Sequence, residues 1–255
     1  MTPTVILNGR FDPLTLDQTV ETIAQAIRAG ERGYLCTVNV AILMMMRSDP
    51  RLQRFVDGAR WIVADGQPLI WVSRLSSAPL PERVAGVELV DMLCGRAQRD
   101  GFGVYLLGST QATVEATARA LRAKHPGLEV RGCADGYFGA DQAESRARAV
   151  ADSGAKLLFV AMGVPRQEHF IEEQWDRLGV NVAIGVGGSF EVVAGLKRRA
   201  PELVQQVGLE WAFRLAQEPR RLLRRYVVTN SQFLGLITRD LVTGALRGDR
   251  GSARR

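Results

Sequence analysis

One carboxylate stands where it could do chemistry. Asp65-Gly66 follows the apolar run Trp61–Ala64. If that run is a strand, the Asp65 side chain emerges at the strand's C-terminal mouth, where it could take a proton from a substrate hydroxyl. It equally suits a turn or a helix cap, because Asp-Gly is common turn chemistry. Thr37-Val38-Asn39 closes another such run. Both polar side chains offer neutral hydrogen bonds to a sugar or nucleotide, and capping of the next helix is the other reading of Asn39. Gly163-Val164-Pro165-Arg166-Gln167-Glu168 joins a strand to a helix. Free N–H groups at such a helix start attract phosphate and Pro165 suits the first turn, although an ordinary connection reads the same way. Gly185-Val186-Gly187-Gly188 would admit a diphosphate close to the backbone or make a tight packing turn. Arg83, in the polar stretch Pro81–Gly86, is either an anion ligand or a solvated surface arginine.

These residues share a position relative to the elements that must hold them. Short β-rich runs at Gly33–Val38, Trp61–Ala64, Val104–Leu107, Glu129–Cys133, Leu157–Ala161 and Val182–Val186 alternate with helical spacing. The helical stretches are Leu16–Ala29, Ala41–Asp57, Pro68–Leu75, Val87–Arg99, Gln111–Lys124, Gln142–Ser153 and Gln167–Leu178. This alternation predicts an α/β, Rossmann-like fold with a mainly parallel sheet flanked by helices. In open sheets of that kind the ligand crevice lies beyond the strand C-termini. Asp65, Gly108, Gly163, Gly187 and Gly188 all come within two residues of a strand end. Val5–Leu7 reads as an edge strand or hairpin.

From Pro201 onward the pattern is helical without strands, with Arg220–Val228 and Gln232–Leu246 as separate helices. The organisation expected is a body over 1–195 and a helical appendage over 196–255. The two differ in charge. The appendage carries thirteen Lys/Arg against five Asp/Glu, while the whole chain of 255 residues has a net charge of +6. A basic amphipathic appendage on a near-neutral body points to work at an anionic surface or on an anionic substrate. Its densest cluster is Arg214, Arg220, Arg221, Arg224 and Arg225 beside Trp211, Phe213 and Tyr226. Guanidinium forks there suit a diphosphate or lipid headgroups, and a solvated helix face is the plainer reading.

Several classes find no support. The three cysteines are scattered and the two histidines share no ligand spacing, which predicts a reduced, cytoplasmic protein without a metal centre. The N-terminus lacks a signal-peptide pattern and no apolar run is long enough to span a bilayer. No D-x-D, Walker loop or nucleophile elbow occurs.

Taken in order, nine segments resemble the WecG/TagA/CpsF family of bacterial glycosyltransferases. They are T-V-N (37–39), A-D-G (64–66), P-E-R-V-A-G (81–86), L-L-G-S (106–109), D-G-Y-F (135–138), G-V-P-R-Q-E (163–168), G-V-G-G-S-F (185–190), A-G-L-K-R-R-A-P (194–201) and the run 208–226. The resemblance implies inverting, metal-independent transfer of an N-acetylmannosamine-type sugar or uronic acid. The donor would be a UDP-sugar, a substrate rather than a cofactor. The acceptor would be a polyprenyl-diphosphate-linked saccharide at the inner face of the cell membrane. The product would enter teichoic acid, capsule or exopolysaccharide synthesis.

Carried over by motif, Asp65 would be the general base, with Thr37, Asn39 and Gln167 positioning the substrates. Arg83, Arg214, Arg221 and Arg224 would neutralise the diphosphate. Gly108, Tyr137, Gly163, Gly187, Gly188 and Glu191 would complete the substrate-binding set. The chain departs from the family pattern at Ala41 and Glu191, where acidic residues and Asp are usual. Peripheral contact with anionic membrane and a homo-oligomer are compatible with the tail; a nucleic-acid partner is not expected. The rival from another class is a non-catalytic nucleotide-binding module docking on RNA or anionic lipid.

Overall fold

A computed structural model of the chain describes residues 2–201, 204, 210–217 and 219–243. It opens with a hairpin, β1 (Thr4–Ile6) and β2 (Gly9–Phe11), followed by α1 (Leu16–Arg28), β3 (Gly33–Val38), α2 (Val40–Ser48) and α3 (Pro50–Asp57). β4 (Trp61–Ala64), α4 (Gln67–Ser73), α5 (Gly86–Asp100), β5 (Val104–Gly108), α6 (Gln111–Lys124) and β6 (Val130–Ala134) come next. The series closes with α7 (Ala140–Asp152), β7 (Leu157–Ala161), α8 (Arg166–Gln174), β8 (Val182–Gly185), α9 (Ser189–Val193), α10 (Glu210–Gln217) and α11 (Pro219–Thr243).

Six strands form one parallel sheet in the order β4-β3-β8-β7-β5-β6. The α/β fold expected from the alternation is present. Strands β4, β5, β7 and β8 are buried along their whole length. That explains why they read as apolar runs rather than alternating patterns: helices cover both faces. Alternate residues of one strand go to opposite layers. In β7, Leu158 and Val160 pack with α2, α3, α7 and α8, while Leu157 and Phe159 pack with α1, α5, α6 and α9. The hairpin forms a separate sheet beside β4. Asp12, just after it, engages the edge of β4: its N–H donates to the Ile62 carbonyl and its carboxylate accepts from the Ile62 N–H, both at 2.8 Å.

The topology opens a crevice. β5 leads outward to β6, whereas its neighbour β7 leads the other way to β8, so the connections above them diverge at the C-terminal rim.

Two helical expectations are corrected. Ala41–Asp57 is two helices, because Pro50 has no N–H to continue the first and Asp49 caps the second, accepting from the N–H groups of Arg51 and Leu52 at 3.0 Å. Conversely, Arg220–Val228 and Gln232–Leu246 are not separate: α11 runs unbroken from Pro219 to Thr243. Thr229, Phe233 and Ile237 recur at helical spacing on one buried face, and Phe233 and Ile237 join the apolar layer of α2. Packing of that face holds the middle of the helix together across Asn230-Ser231. Val204, Val207, Gly208, Trp211 and Leu215 share one face at helical spacing in the sequence, and of these Val207 and Gly208 lie outside the described residues.

Candidate active site

Asp65 leaves β4 at the rim and is half-buried. Its N–H donates to the Val38 carbonyl at 2.9 Å, which continues the sheet one step beyond the strands. It does not cap the helix that follows, since α4 has no side-chain cap. Its Oδ2 instead lies 3.4 Å from the Gly86 N–H at the start of α5, a long contact. Asn39 does cap: Oδ1 accepts from the Ile42 N–H at 3.1 Å. Gly66 lies against Asn39, so the loops after β3 and β4 touch and bring Asn39 beside the Asp65 turn. Thr37 donates its hydroxyl to the Gly185 carbonyl at 3.2 Å, tying β3 to β8.

Arg83 arrives by a different route. Val84 N–H donates to the Ala64 carbonyl at 2.9 Å, folding the 81–86 stretch over the end of β4. The guanidinium pairs with Glu210 of α10, stands 3.8 Å from Glu88 and senses the Asp65 charge. Burial works against its charge, but these three carboxylates more than offset that and hold its pKa above the ordinary arginine value. Glu88 in turn takes Arg199 at 2.5 Å. Two residues beyond position 195 are thus tied to the rim by ion pairs: Arg199 to Glu88 and Glu210 to Arg83.

Gln167 is buried, with 3% exposure. Its Nε2 donates to Glu168 Oε1 at 2.8 Å and its Oε1 accepts from the Gly187 N–H at 3.1 Å. A carboxylate on one side and an N–H on the other permit a single orientation of the amide. The amide lies so close beneath β8 that a Cβ at Gly185 would stand 2.5 Å from Nε2, which is why a glycine occupies that strand end. Glu168, equally buried, has its carboxyl pushed up to about 7 by burial, against the lowering effect of the Gln167 hydrogen bond.

The other side of the crevice is built from backbone. A Cβ on Gly108 would fall 2.4 Å from the Ala161 carbonyl oxygen, and Gly136 packs on Gly108 in turn. The ends of β5 and β7 and the loop after β6 therefore meet closely at Gly108, Ala161 and Gly136, with the Met162 side chain beside them, while Gly163 has open space at its Cβ position. Tyr137 follows Gly136 and is 73% exposed. Gly188 leads into α9, where Glu191 pairs with Lys197. Arg214 falls in α10, and Arg221 and Arg224 in α11, but their side chains lie outside the described residues. Among the described residues no three His, Cys, Asp or Glu side chains are grouped to hold a metal ion. Nor is any described helix long and apolar enough to cross a membrane.

Glu88, Glu168, Arg199 and Glu210 carry no chemical signal in the sequence. The first reads as a solvated charge in a helical first turn, and the others sit inside segments whose neighbours attract the attention. Only the packing reveals that they are buried or paired.

An acid beside an arginine at the open end of a parallel sheet, over a crevice walled by glycines, is the layout of a group-transfer enzyme handling an anionic substrate. The sequence model of the Glycosyl transferase WecG/TagA/CpsF family matches residues 4–247. The chain belongs to that family and is a glycosyltransferase. It is similar to the N-acetylglucosaminyldiphosphoundecaprenol N-acetyl-beta-D-mannosaminyltransferase of Bacillus spizizenii, with 32% identity over 222 residues covering 87% of this chain and 82% of the relative.

Proposed function

We propose that the protein transfers an N-acetylmannosamine-type sugar from a UDP donor to a saccharide carried on polyprenyl diphosphate, with inversion and without a metal. The observation that carries this reading is Asp65, half-buried at the strand mouth with Arg83 alongside. The relative's name supplies the sugar and the type of acceptor.

In a single displacement the acceptor hydroxyl oxygen attacks C1 of the donor while Asp65 takes its proton. The C1–O bond to the diphosphate breaks, and UDP leaves with that electron pair. Charge developing on the leaving diphosphate needs positive partners. Arg83 is one, provided that the diphosphate competes with Glu210 for its guanidinium; Arg214, Arg221 and Arg224 of the appendage are the others. Asn39, bonded to its own helix through Oδ1, offers its amide NH2 to a hydroxyl. The glycine-walled gap above β5 and β7 accommodates the nucleotide, with Tyr137 at its outer edge. Thr37 and Gln167, whose polar groups are bonded within the protein, serve by holding the 185–188 loop in shape.

Contact with the membrane fits the far side of the appendage. Leu223, Val227 and Leu234 of α11 are exposed, within a segment rich in arginine. The test is Asp65→Asn. Transfer to a polyprenyl-diphosphate acceptor should fall by roughly 10²–10⁴-fold, the range for loss of a general base, with UDP binding retained. Near-normal turnover would exclude Asp65 as the base.

A further inference from the structure

Glu168 is a buried carboxyl group that the transfer mechanism does not use. It is 7% exposed, and Oε1 accepts from Gln167 Nε2 at 2.8 Å. Its other oxygen, Oε2, is also buried and has no hydrogen-bond partner among the described residues. The carboxyl group lines a small cavity between α8 and β3 with Cys36, Thr37, Ile42, Phe55 and Gly185. Two walls of that cavity, Thr37 and Gly185, are hydrogen-bonded to each other at the strand ends beneath the crevice.

A lone buried acid is costly, so its retention calls for a reason beyond packing. The hydrogen-bond chain provides one. Glu168 Oε1 accepts from Gln167 Nε2, which turns the amide carbonyl toward Gly187. Without that acceptor the amide could rotate by half a turn, setting an NH2 against the Gly187 N–H. The 185–188 loop would then lose the bond that holds it.

We propose that Glu168 is a positioning residue for the transfer reaction, acting through Gln167 to fix the Gly185–Gly188 loop against which the donor binds. This rests on the donor-binding reading given above. A carbonyl acceptor at position 168 is all the role requires, so Gln should substitute for Glu and an apolar residue should not.

The experiment compares Glu168→Gln, Glu168→Met, Gln167→Ala and the double variant Glu168→Met/Gln167→Ala in two readouts. One is donor KM and kcat with UDP-N-acetylmannosamine; the other is amide hydrogen exchange over 185–188. Glu168→Met should raise donor KM roughly tenfold with kcat changed much less, about what one lost positioning hydrogen bond gives. It should also speed exchange at Gly187, and Glu168→Gln should restore both. If Glu168 acts through Gln167, the double variant should be no worse than Gln167→Ala alone. Additive losses, or faster exchange with an unaltered donor KM, would overturn the proposal. If the wild-type protein neither binds UDP nor transfers from it, the donor reading fails instead. The exchange readout still decides on Glu168 then: unchanged exchange at Gly187 in Glu168→Met removes it as the support of the loop.

Discussion

Replacing Glu168 with glutamine should make the protein's stability less sensitive to a rise in pH from about 4.5 to about 7, by an amount that follows from its burial. The carboxyl's ordinary value of 4.5 is pushed to about 7 in the folded chain. Between these two values the folded state holds a proton that the unfolded state has released. Stability therefore falls as pH rises from about 4.5 through about 7, and the loss is complete above that. At about 1.4 kcal/mol per pH unit the gap amounts to about 3 kcal/mol. Glutamine does not titrate. It keeps a carbonyl for Gln167 and sets an amide NH2 where Oε2 was. Any cost of that NH2 applies equally at every pH, so it shifts the stability curve without tilting it. The neighbouring thiol of Cys36, raised by burial and then by Glu168 itself, titrates above this window, as does Tyr34, pushed up to about 12. Urea unfolding of both proteins between about pH 4.5 and pH 8 is the assay. The wild-type free energy should decline about 3 kcal/mol more than that of Glu168→Gln. Parallel curves, separated by a constant at all pH values, would show that the buried carboxyl carries no such penalty and refute the reasoning.

Other consequences can be measured directly. Gly185→Ala places a methyl 2.5 Å from Gln167 Nε2; overpacking of this kind costs about 1–3 kcal/mol, and the loss in urea stability should shrink when Gln167 is shortened to Ala in the same chain. Phe233→Ala removes the largest buried side chain, among the described residues, joining α11 to α2. It should destabilise the protein by about 3–5 kcal/mol if α11 unfolds with the body; a biphasic transition with an unchanged main phase would mean that α11 detaches alone. Glu210→Gln weakens the partner of Arg83, and titration calorimetry should find UDP bound more tightly, because the diphosphate no longer competes with a full carboxylate. Weaker binding there would show that Glu210 positions Arg83 rather than competing for it.

The sheet was readable because its strands are covered on both faces: Leu157–Ala161 and Trp61–Ala64 are apolar throughout and need no partner to be recognised. One helix boundary is written in local chemistry, although helical spacing alone predicts a single helix over Ala41–Asp57. Asp49-Pro50 ends one helix and starts the next through a cap and a missing N–H, both present in the residues themselves. The continuity of α11 is not written there, because it depends on what Phe233 and Ile237 meet. Asn230-Ser231 looks like a break until α2 is packed beneath the helix.

For the site, residue order alone marked the rim positions, since a polar residue or glycine directly after a buried strand must emerge at its end. Asp65 and Asn39 are of that kind, while Gly108 ends β5 and Gly187 comes two residues after β8. The sequence says nothing of which rim groups are already bonded. Thr37 reaches Gly185 across 148 positions and Arg83 meets Glu210 across 127. Such pairings depend on strand order, and strand order depends on how crossovers pack rather than on any local pattern. Burial likewise separates Glu168, whose proton affinity rises, from Glu88, which lies between two arginines. Chain chemistry names the groups, and three-dimensional packing assigns each its neighbour and its charge.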